Sequence, residues 1–272
     1  MYEMLCAGCG HRTAMMILDE IIKEKNIKEK IIMALDVACC SLLIDYVDYD
    51  AIMCAHGRVL DVTKGYKMMR DENIVISYMG DGAAYSIGIE EMIHSARRND
   101  AVLAIVINNG LYSMTGGQVA PTYVGANVNA GVNVNVGVNV NVGADVNVGA
   151  NVNAGADIIR PIVVTNVDTE GTKLSEPVSN DNNIGFKIEN IIGNLPISYF
   201  ARASITDKEN IDTAKKYINT AFDKYIKSGG FNLVELLSPC PTNYKLKPVD
   251  MVNVINNGWS KVYKIGEIVN NV

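Results

Sequence analysis

Apolar residues fall along this chain in short, unbroken runs separated by stretches of helical spacing. The runs Ile31–Leu35, Ile74–Met79, Ala101–Ile107, Ile197–Ala203 and Phe231–Leu237 carry almost no polar interruption. Runs of this length read as strands buried on both faces, which is the pattern of a parallel sheet covered by helices. A shorter run, Ala51–Cys54, adds a further strand. Between them the apolar period lengthens. Thr13–Lys25 places Met16, Ile17, Ile21 and Ile22 on one helical face, and Ile87–Arg98 does the same with Ile89, Met92, Ile93 and Ala96. Asp61–Arg70, Phe186–Ile192 and Pro248–Asn257 also read as helices. Asp207 is placed to cap a long helix ending at Ser228, with Ile211, Ala214, Ile218, Ala221, Phe222 and Tyr225 on its inner face and Gly229-Gly230 behind it. The tail beyond Asn257 gives no readable pattern. Strand, helix and strand in alternation predict an α/β fold: a parallel sheet with helices on both faces, one domain over residues 1–272.

One segment breaks this pattern. Residues 125–157 repeat a six-residue unit that begins at Gly125, Gly131, Gly137, Gly143 and Gly149, with a partial copy from Gly155. Valine alternating with asparagine favours strand, and the recurring glycine interrupts it. No large side chain is present to build a core. The segment, taken as residues 125–170, reads as a low-complexity insertion within the domain, a surface loop of weak β character. Polar, turn-rich sequence continues to about Gly185.

The chemistry-bearing residues sit where the predicted strands end. Ile74–Met79 delivers Gly80-Asp81-Gly82, and Ala101–Ile107 delivers Asn108-Asn109-Gly110. In a strand–helix–strand unit these turns share the carboxyl edge of the sheet, where such folds bind ligands. Asp81 offers a carboxylate oxygen and Asn109 an amide oxygen, ligands suited to a magnesium ion that also holds a phosphate. Flanking glycines, Gly80 and Gly82 among them, let backbone N–H groups approach phosphate oxygens. Ala51–Cys54 leads into His56-Gly57-Arg58, a turn suited to a phosphate or a carboxylate.

Net charge is −6 with no basic stripe, which argues against a nucleic-acid partner. The run Ala101–Ile107 is too short to span a bilayer, and the first residues carry no signal-peptide pattern, so the cytoplasm is the expected location. Six cysteines in such a chain point to metal, cluster or catalysis rather than disulfides. Cys6 and Cys9 form a CxxC turn, which alone reads as a metal grip, a zinc half-site or a buried pair. Cys39 and Cys40 are adjacent, so their side chains diverge and only one can face a shared centre. Cys240 lies between two prolines at the end of Phe231–Leu237.

Several of these motifs in order resemble one family. The GDG turn and the NN pair about two dozen residues later look like the thiamine diphosphate motif. The stretch NNGLYSMTGGQVAPT, the CxGCGH near the start, the Cys-Ser after the first strand, HGR before the GDG turn and SPCPTNY near the end narrow it. Together they resemble the beta, thiamine diphosphate-binding subunit of 2-oxoacid:ferredoxin oxidoreductases, over Leu5–Thr122 and roughly Phe186–Val252. The resemblance implies that Asp81 and Asn109 bind Mg2+ through their side chains and Leu111 through its carbonyl. It implies that Gly80, Gly82, Ala83, Asn109, Ser113 and Met114 line the diphosphate. Ala38, Cys39, Cys40, Ser41 and His56 would lie against the cofactor or substrate, with His56 as the catalytic candidate. Cys6, Cys9, Cys40 and Cys240 would hold a [4Fe–4S] cluster, which takes four thiolates.

The activity so implied is oxidative decarboxylation of a 2-oxoacid to acyl-CoA and CO2, with electrons passed to ferredoxin. 2-Oxoisovalerate is favoured slightly over 2-oxoglutarate. The implied partners are an alpha subunit, which supplies the glutamate that activates the cofactor, gamma or delta subunits, ferredoxin, coenzyme A and the 2-oxoacid. The chain departs from the family pattern at Ala7, where proline is usual, at Cys39, where glycine is usual, and at Ala83, where an acidic residue is common. Cys40 is preferred over Cys39 as cluster ligand because Ser41 follows it. A non-oxidative thiamine diphosphate decarboxylase shares the GDG and NN turns and needs no cluster; the four cysteines weigh against that alternative.

Overall fold

The computed structural model describes residues 4–124, the two strands 138–141 and 147–150, and residues 185–271. Helix α1 (Gly10–Lys25) leads to β1 (Ile31–Asp36) and a 3-10 turn (Cys39–Asp45). Strand β2 (Asp50–Cys54) and helix α2 (Val59–Met69) follow. Strand β3 (Ile74–Gly80), helix α3 (Ile89–Arg98) and strand β4 (Val102–Asn108) form the central unit. A small hairpin, β5 (Leu111–Tyr112) with β6 (Gln118–Val119), hangs from the end of β4. Strands β7 (Val138–Asn141) and β8 (Asn147–Ala150) pair antiparallel inside the repeat. After it come α4 (Glu189–Ile192), β9 (Tyr199–Ser204), α5 (Lys208–Ser228), β10 (Phe231–Leu237), α6 (Pro241–Tyr244), α7 (Pro248–Val254), α8 (Ser260–Val262) and β11 (Gly266–Asn270).

The main sheet has seven strands in the order β11-β9-β10-β4-β3-β1-β2. All neighbours are parallel except β11, which runs antiparallel to β9. The period of two within each strand sorts side chains to two cores. Ile31, Met33, Leu35, Leu103, Ile105 and Ile107 face α1 and α5. Ile32, Ala34, Val102, Ala104 and Val106 face α2 and α3. A third cluster, with Leu237, Tyr244, Trp259 and Tyr263, packs the C-terminal segment over the end of β10. The chain leaves β1 toward β2 on one side and leaves β3 toward β4 on the other. The β1–β3 edge is therefore a switch point, where such sheets open a crevice.

The predicted α/β sheet is present, and several boundaries differ for physical reasons. α3 starts at Ile89 rather than Ile87, because Ala83–Ile87 forms a π-turn closed by the Gly88 N–H to the Ala83 carbonyl at 2.7 Å. Only Glu189–Ile192 of the expected helix Phe186–Ile192 is helical. The Phe186 N–H instead donates to the Pro121 carbonyl at 2.8 Å, tying the chain to the far side of the insertion. α7 stops at Val254 and passes through a π-turn, Ile255–Trp259, into α8. The unreadable tail forms β11, an edge strand with a register shift at Glu267–Val269, too short and too half-exposed to announce itself. Of the repeat, the described residues form one antiparallel pair in which Val140 faces Val148; the rest of the expected insertion 125–170 lies outside the described residues.

Candidate active site

The carboxyl ends of β1, β3 and β4 open into a cleft. His11, Asp36, Ala38, Cys39, Cys40, His56, Gly80, Asp81, Gly82, Ala83, Asn109, Leu111, Tyr112, Ser113, Met114 and Thr115 line it. The cleft thus gathers nearly every residue singled out from the sequence. Cys6, Cys9 and Cys240 lie outside its lining, and so does Ser41, whose hydroxyl turns back to donate to the Ala38 carbonyl at 2.7 Å. Arg58 also departs from expectation. It pairs with Glu90 at 3.0 Å and with the buried carboxylate of Glu91, and its guanidinium is engaged there instead of gripping a ligand.

The β3 and β4 turns build the hard-ligand edge. Asp81 is only 1% exposed. Burial pushes its carboxyl up to about 7, against the Thr122 hydroxyl, which donates to Oδ2, and the Asn109 N–H, which donates to Oδ1 at 3.4 Å. Among the described residues no cationic side chain pairs with it, so none of them supplies this buried carboxylate with a counter-charge. That is the environment a bound cation relieves. Asn109 Oδ1 accepts from the Leu111 N–H at 3.0 Å and from the Ser113 hydroxyl at 3.4 Å, and its carbonyl accepts from the Tyr244 hydroxyl at 3.0 Å. These bonds hold the loop so that one carboxylate, one amide oxygen and the Leu111 carbonyl share an edge. They fit an octahedral Mg2+ that keeps further positions for water and phosphate. Gly82 lies under the Tyr112 ring, and any Cβ there would overlap it. Gly110 turns at φ 72° with Trp259 2.7 Å from where a Cβ would stand.

The soft ligands gather on the adjoining side. The Cys9 N–H donates to the Cys6 carbonyl at 3.1 Å, closing the first turn, and the Gly10 N–H reaches the Pro239 carbonyl at 3.4 Å. The CxxC turn is thereby joined to the loop that carries Cys240. Burial pushes the Cys9 thiol up to about 12, and Cys240, Cys39 and Cys6 add to the shift. Burial likewise pushes Cys39 up to about 11, with Cys240 and Cys6 contributing. Cys9 is thus within electrostatic reach of Cys6, Cys39 and Cys240, and Cys39 of Cys6 and Cys240. Cys40 faces elsewhere: it is 1% exposed, and burial and then Asp36 raise its pKa well above the ordinary range. Of the adjacent pair, Cys39 feels Cys6 and Cys240, whereas fully buried Cys40 feels Asp36, so Cys39 rather than the expected Cys40 is taken as the candidate ligand. Between Asp36 and the pair the backbone turns at Ala38, at φ 127° and ψ −148°. Among the described residues no three His, Cys, Asp or Glu side chains converge on a single ion. The four thiols are of the number and kind that an iron–sulfur cluster takes.

That backbone at Ala38 is one that residues other than glycine adopt at a cost of about 1–3 kcal/mol. Ala38→Gly is expected to raise the unfolding free energy by about 1 kcal/mol in urea titration, after the entropy cost of glycine is subtracted. A destabilised variant would show that the conformation carries no strain.

Sequence reasoning passed over four further groups. Asp36 ends β1 fully buried and holds His56 Nδ1 at 2.8 Å. His11 Nδ1 meets the Tyr78 hydroxyl at 3.0 Å, and burial lowers its pKa to about 4. Tyr112 places its ring edge-on to His56, 6.4 Å between centroids. Thr122 anchors Asp81. Asp36 was readable as a carboxylate at a strand's carboxyl end; the others depend on contacts between distant segments.

Comparison with known proteins agrees with this geometry. The family of thiamine pyrophosphate enzymes, C-terminal TPP binding domain, matches residues 36–171. The ketoisovalerate oxidoreductase subunit VorA of Methanothermobacter marburgensis is 30% identical over 243 residues, covering 88% of this chain and 42% of the relative. The chain therefore spans less than half the length of that relative. The 2-oxoglutarate synthase subunit KorB of Archaeoglobus fulgidus is 25% identical over 256 residues, covering 94% of this chain and 76% of the relative. A solved 2-oxoglutarate:ferredoxin oxidoreductase from Magnetococcus marinus, with 2-oxoglutarate, coenzyme A and succinyl-CoA bound, shares the fold with a TM-score of 0.61 at 20% identity, over 94% of this chain and 70% of that one. The chain belongs to the thiamine pyrophosphate enzymes and is a relative of the 2-oxoacid:ferredoxin oxidoreductase subunits.

Proposed function

We propose that this chain is the thiamine diphosphate-binding, beta-type subunit of a 2-oxoacid:ferredoxin oxidoreductase. In this reading the enzyme oxidatively decarboxylates a 2-oxoacid to acyl-CoA and CO2 and passes the electrons to ferredoxin. The observation that carries the reading is the juxtaposition of a buried, uncompensated Asp81 and its Asn109 turn with four neighbouring thiols, Cys6, Cys9, Cys39 and Cys240. Thiamine diphosphate would supply the electron sink for loss of CO2. The chain's own residues do the rest. Asp81, Asn109 and the Leu111 carbonyl hold Mg2+ on the diphosphate, and the Gly80–Ala83 backbone lines the phosphate side. Ser113, which touches Cys240 at 3.3 Å, keeps the two halves of the site together. Cys6, Cys9, Cys39 and Cys240 hold a [4Fe–4S] cluster at the cleft wall.

Among the described residues no glutamate lines the cleft, and in this reading an alpha subunit supplies the one that activates the cofactor. Gamma or delta subunits complete the assembly. Among the described residues no helix is long and apolar enough to cross a membrane, and a cytoplasmic location is part of the proposal. The slight preference for 2-oxoisovalerate rests on the 30% identity to the VorA relative, against 25% to the KorB relative, with 2-oxoglutarate as the alternative substrate.

The test is anaerobic co-purification with the partner chains, followed by viologen reduction with coenzyme A and a panel of 2-oxoacids. The proposal expects strict dependence on coenzyme A and thiamine diphosphate, with branched-chain substrates fastest. Equal rates across the panel would remove the substrate assignment. Full CO2 release without any viologen reduction would replace the oxidoreductase with a non-oxidative decarboxylase.

A further inference from the structure

We infer that Asp36 is a positioning residue for His56: it fixes the imidazole proton on Nδ1 and turns Nε2 into the cleft as a hydrogen-bond acceptor for the bound reactants. The inference rests on the proposed function for its catalytic consequence, and on the geometry alone for the tautomer. Asp36 lies at the last position of β1 and is fully buried. Both of its oxygens are committed. The Gly57 N–H donates to Oδ1 at 2.8 Å, and His56 Nδ1 stands 2.8 Å from Oδ2. A backbone N–H can only donate, so a carboxylate that accepts on both oxygens leaves Nδ1 as the donor. Nδ1 protonated leaves the Nε2 lone pair free in the neutral ring.

The support around this pair is rigid. Gly57 sits at φ 73°, and a Cβ there would stand 2.7 Å from Ile87 and 2.8 Å from the Gly88 nitrogen, so the turn carrying His56 is wedged against the start of α3. Tyr112 closes the other side of the ring. Of the other ionisable groups near the pair, Cys40 and Cys54 lie beside Asp36, and Asp81, Cys39 and His11 line the same cleft. Arg58, next but one to His56, is turned away to Glu90 and Glu91. Among the described residues the ring's charged partner is Asp36.

Asp36→Asn inverts the polarity of the pair. The Asn oxygen keeps the Gly57 N–H, its NH2 then donates to Nδ1, and the ring proton moves to Nε2. The acceptor in the cleft becomes a donor, while shape and packing stay the same. The chain contains three histidines, His11, His56 and His94, so the tautomers can be read directly in the 15N-histidine-labelled full chain, with His56→Gln assigning the signal. At a pH where the ring is neutral, long-range 1H–15N correlations should show His56 as the Nδ1–H form in the parent and the Nε2–H form in Asp36→Asn. In the assembled enzyme, Asp36→Asn should lower kcat by roughly 10²–10⁴-fold, with little change in KM or thiamine diphosphate affinity. His56→Gln should lower kcat as far, and the double variant no further. An Nε2–H His56 in the parent overturns the tautomer. An unchanged kcat in a folded Asp36→Asn chain with the flipped tautomer overturns the positioning role. Should Asp36→Asn fail to fold, the parent tautomer and the His56→Gln kinetics still decide: Nδ1–H with a kcat loss sustains the inference, and either one missing refutes it. The tautomer is read without turnover, so an assembly inactive toward every 2-oxoacid would refute the proposed function and leave this geometry standing.

Discussion

Asp81→Asn is expected to weaken magnesium-dependent retention of thiamine diphosphate by more than about 100-fold, because it removes the one charged ligand of a hard cation. The substitution preserves size and the Thr122 contact, so the fold should survive. The pH dependence makes the test sharper. Burial raises the Asp81 pKa from 3.8 to about 7. A group raised on folding binds more protons in the folded chain than in the unfolded one, so its contribution to stability is fully present below pH 3.8 and is lost as pH rises through about 7. Mg2+ needs the ionised form and releases the proton. The cofactor-free chain should therefore gain stability from this group on acidification, while Mg2+ affinity falls by about tenfold per pH unit below the folded pKa. In Asp81→Asn both dependences should vanish. Cofactor retained at parental affinity across this range would show that Asp81 is not a metal ligand.

The second large effect is expected far from the metal. β9 and β10 bring Arg202 and Glu235 directly opposite each other on the α2–α3 side of the sheet. Arg202 is fully buried; its Nε donates to Glu235 Oε2 at 2.9 Å, and its Nη2 donates to Glu189 Oε2 at 2.6 Å. Burial opposes the Arg202 charge, but Glu235 and Glu189 more than restore it and raise its pKa. Burial also opposes the charge on Glu189, and the guanidinium overrides that, holding the carboxyl below its ordinary range. Glu235 Oε1 accepts from Asn108 Nδ2 at 2.6 Å, and Asn108 Oδ1 accepts from the Gly110 N–H at 3.2 Å. The network therefore ends in the turn that carries Asn109. Arg202→Leu leaves the buried carboxylate of Glu235 unpaired and should cost about 3–5 kcal/mol in denaturant unfolding. Arg202→Lys, which keeps the charge but not the fork, should fold and bind cofactor more weakly. A loss below about 1 kcal/mol in Arg202→Leu would show that the buried pair contributes little to stability.

The sheet was legible because parallel strands are buried on both faces and so read as plain apolar runs, as Ala101–Ile107 does. The meeting of Asp81 and Asn109 at one edge was legible because both follow such runs within one strand–helix–strand unit. What escaped was set by contacts between distant segments. β11 has no run of its own and exists through pairing with β9. Arg58 was offered to a ligand because nothing local shows Glu91 beneath it. Cys39 and Cys40 could not be separated from sequence, since their directions depend on the backbone turn at Ala38. Arg202, Glu235 and Glu189 look like ordinary charged residues until the sheet register brings them together. The Asp36–His56 pair was half visible: Asp36 ends β1, His56 follows the end of β2 by two residues, and the parallel β1–β2 pairing, with Asp36 opposite Cys54, brings them into reach.

The central claim is that one chain carries both a thiamine diphosphate edge and the thiolates of an iron–sulfur cluster. The most direct measurement is the iron and acid-labile sulfide content of the anaerobically purified assembly, with electron paramagnetic resonance after reduction, for the parent, Cys39→Ser and Cys40→Ser. Cys39→Ser is expected to lose about four iron atoms per copy of this chain, and Cys40→Ser to keep parental iron. An iron content that is the same in all three, in an assembly that oxidises 2-oxoacids at the parental rate, would contradict that claim.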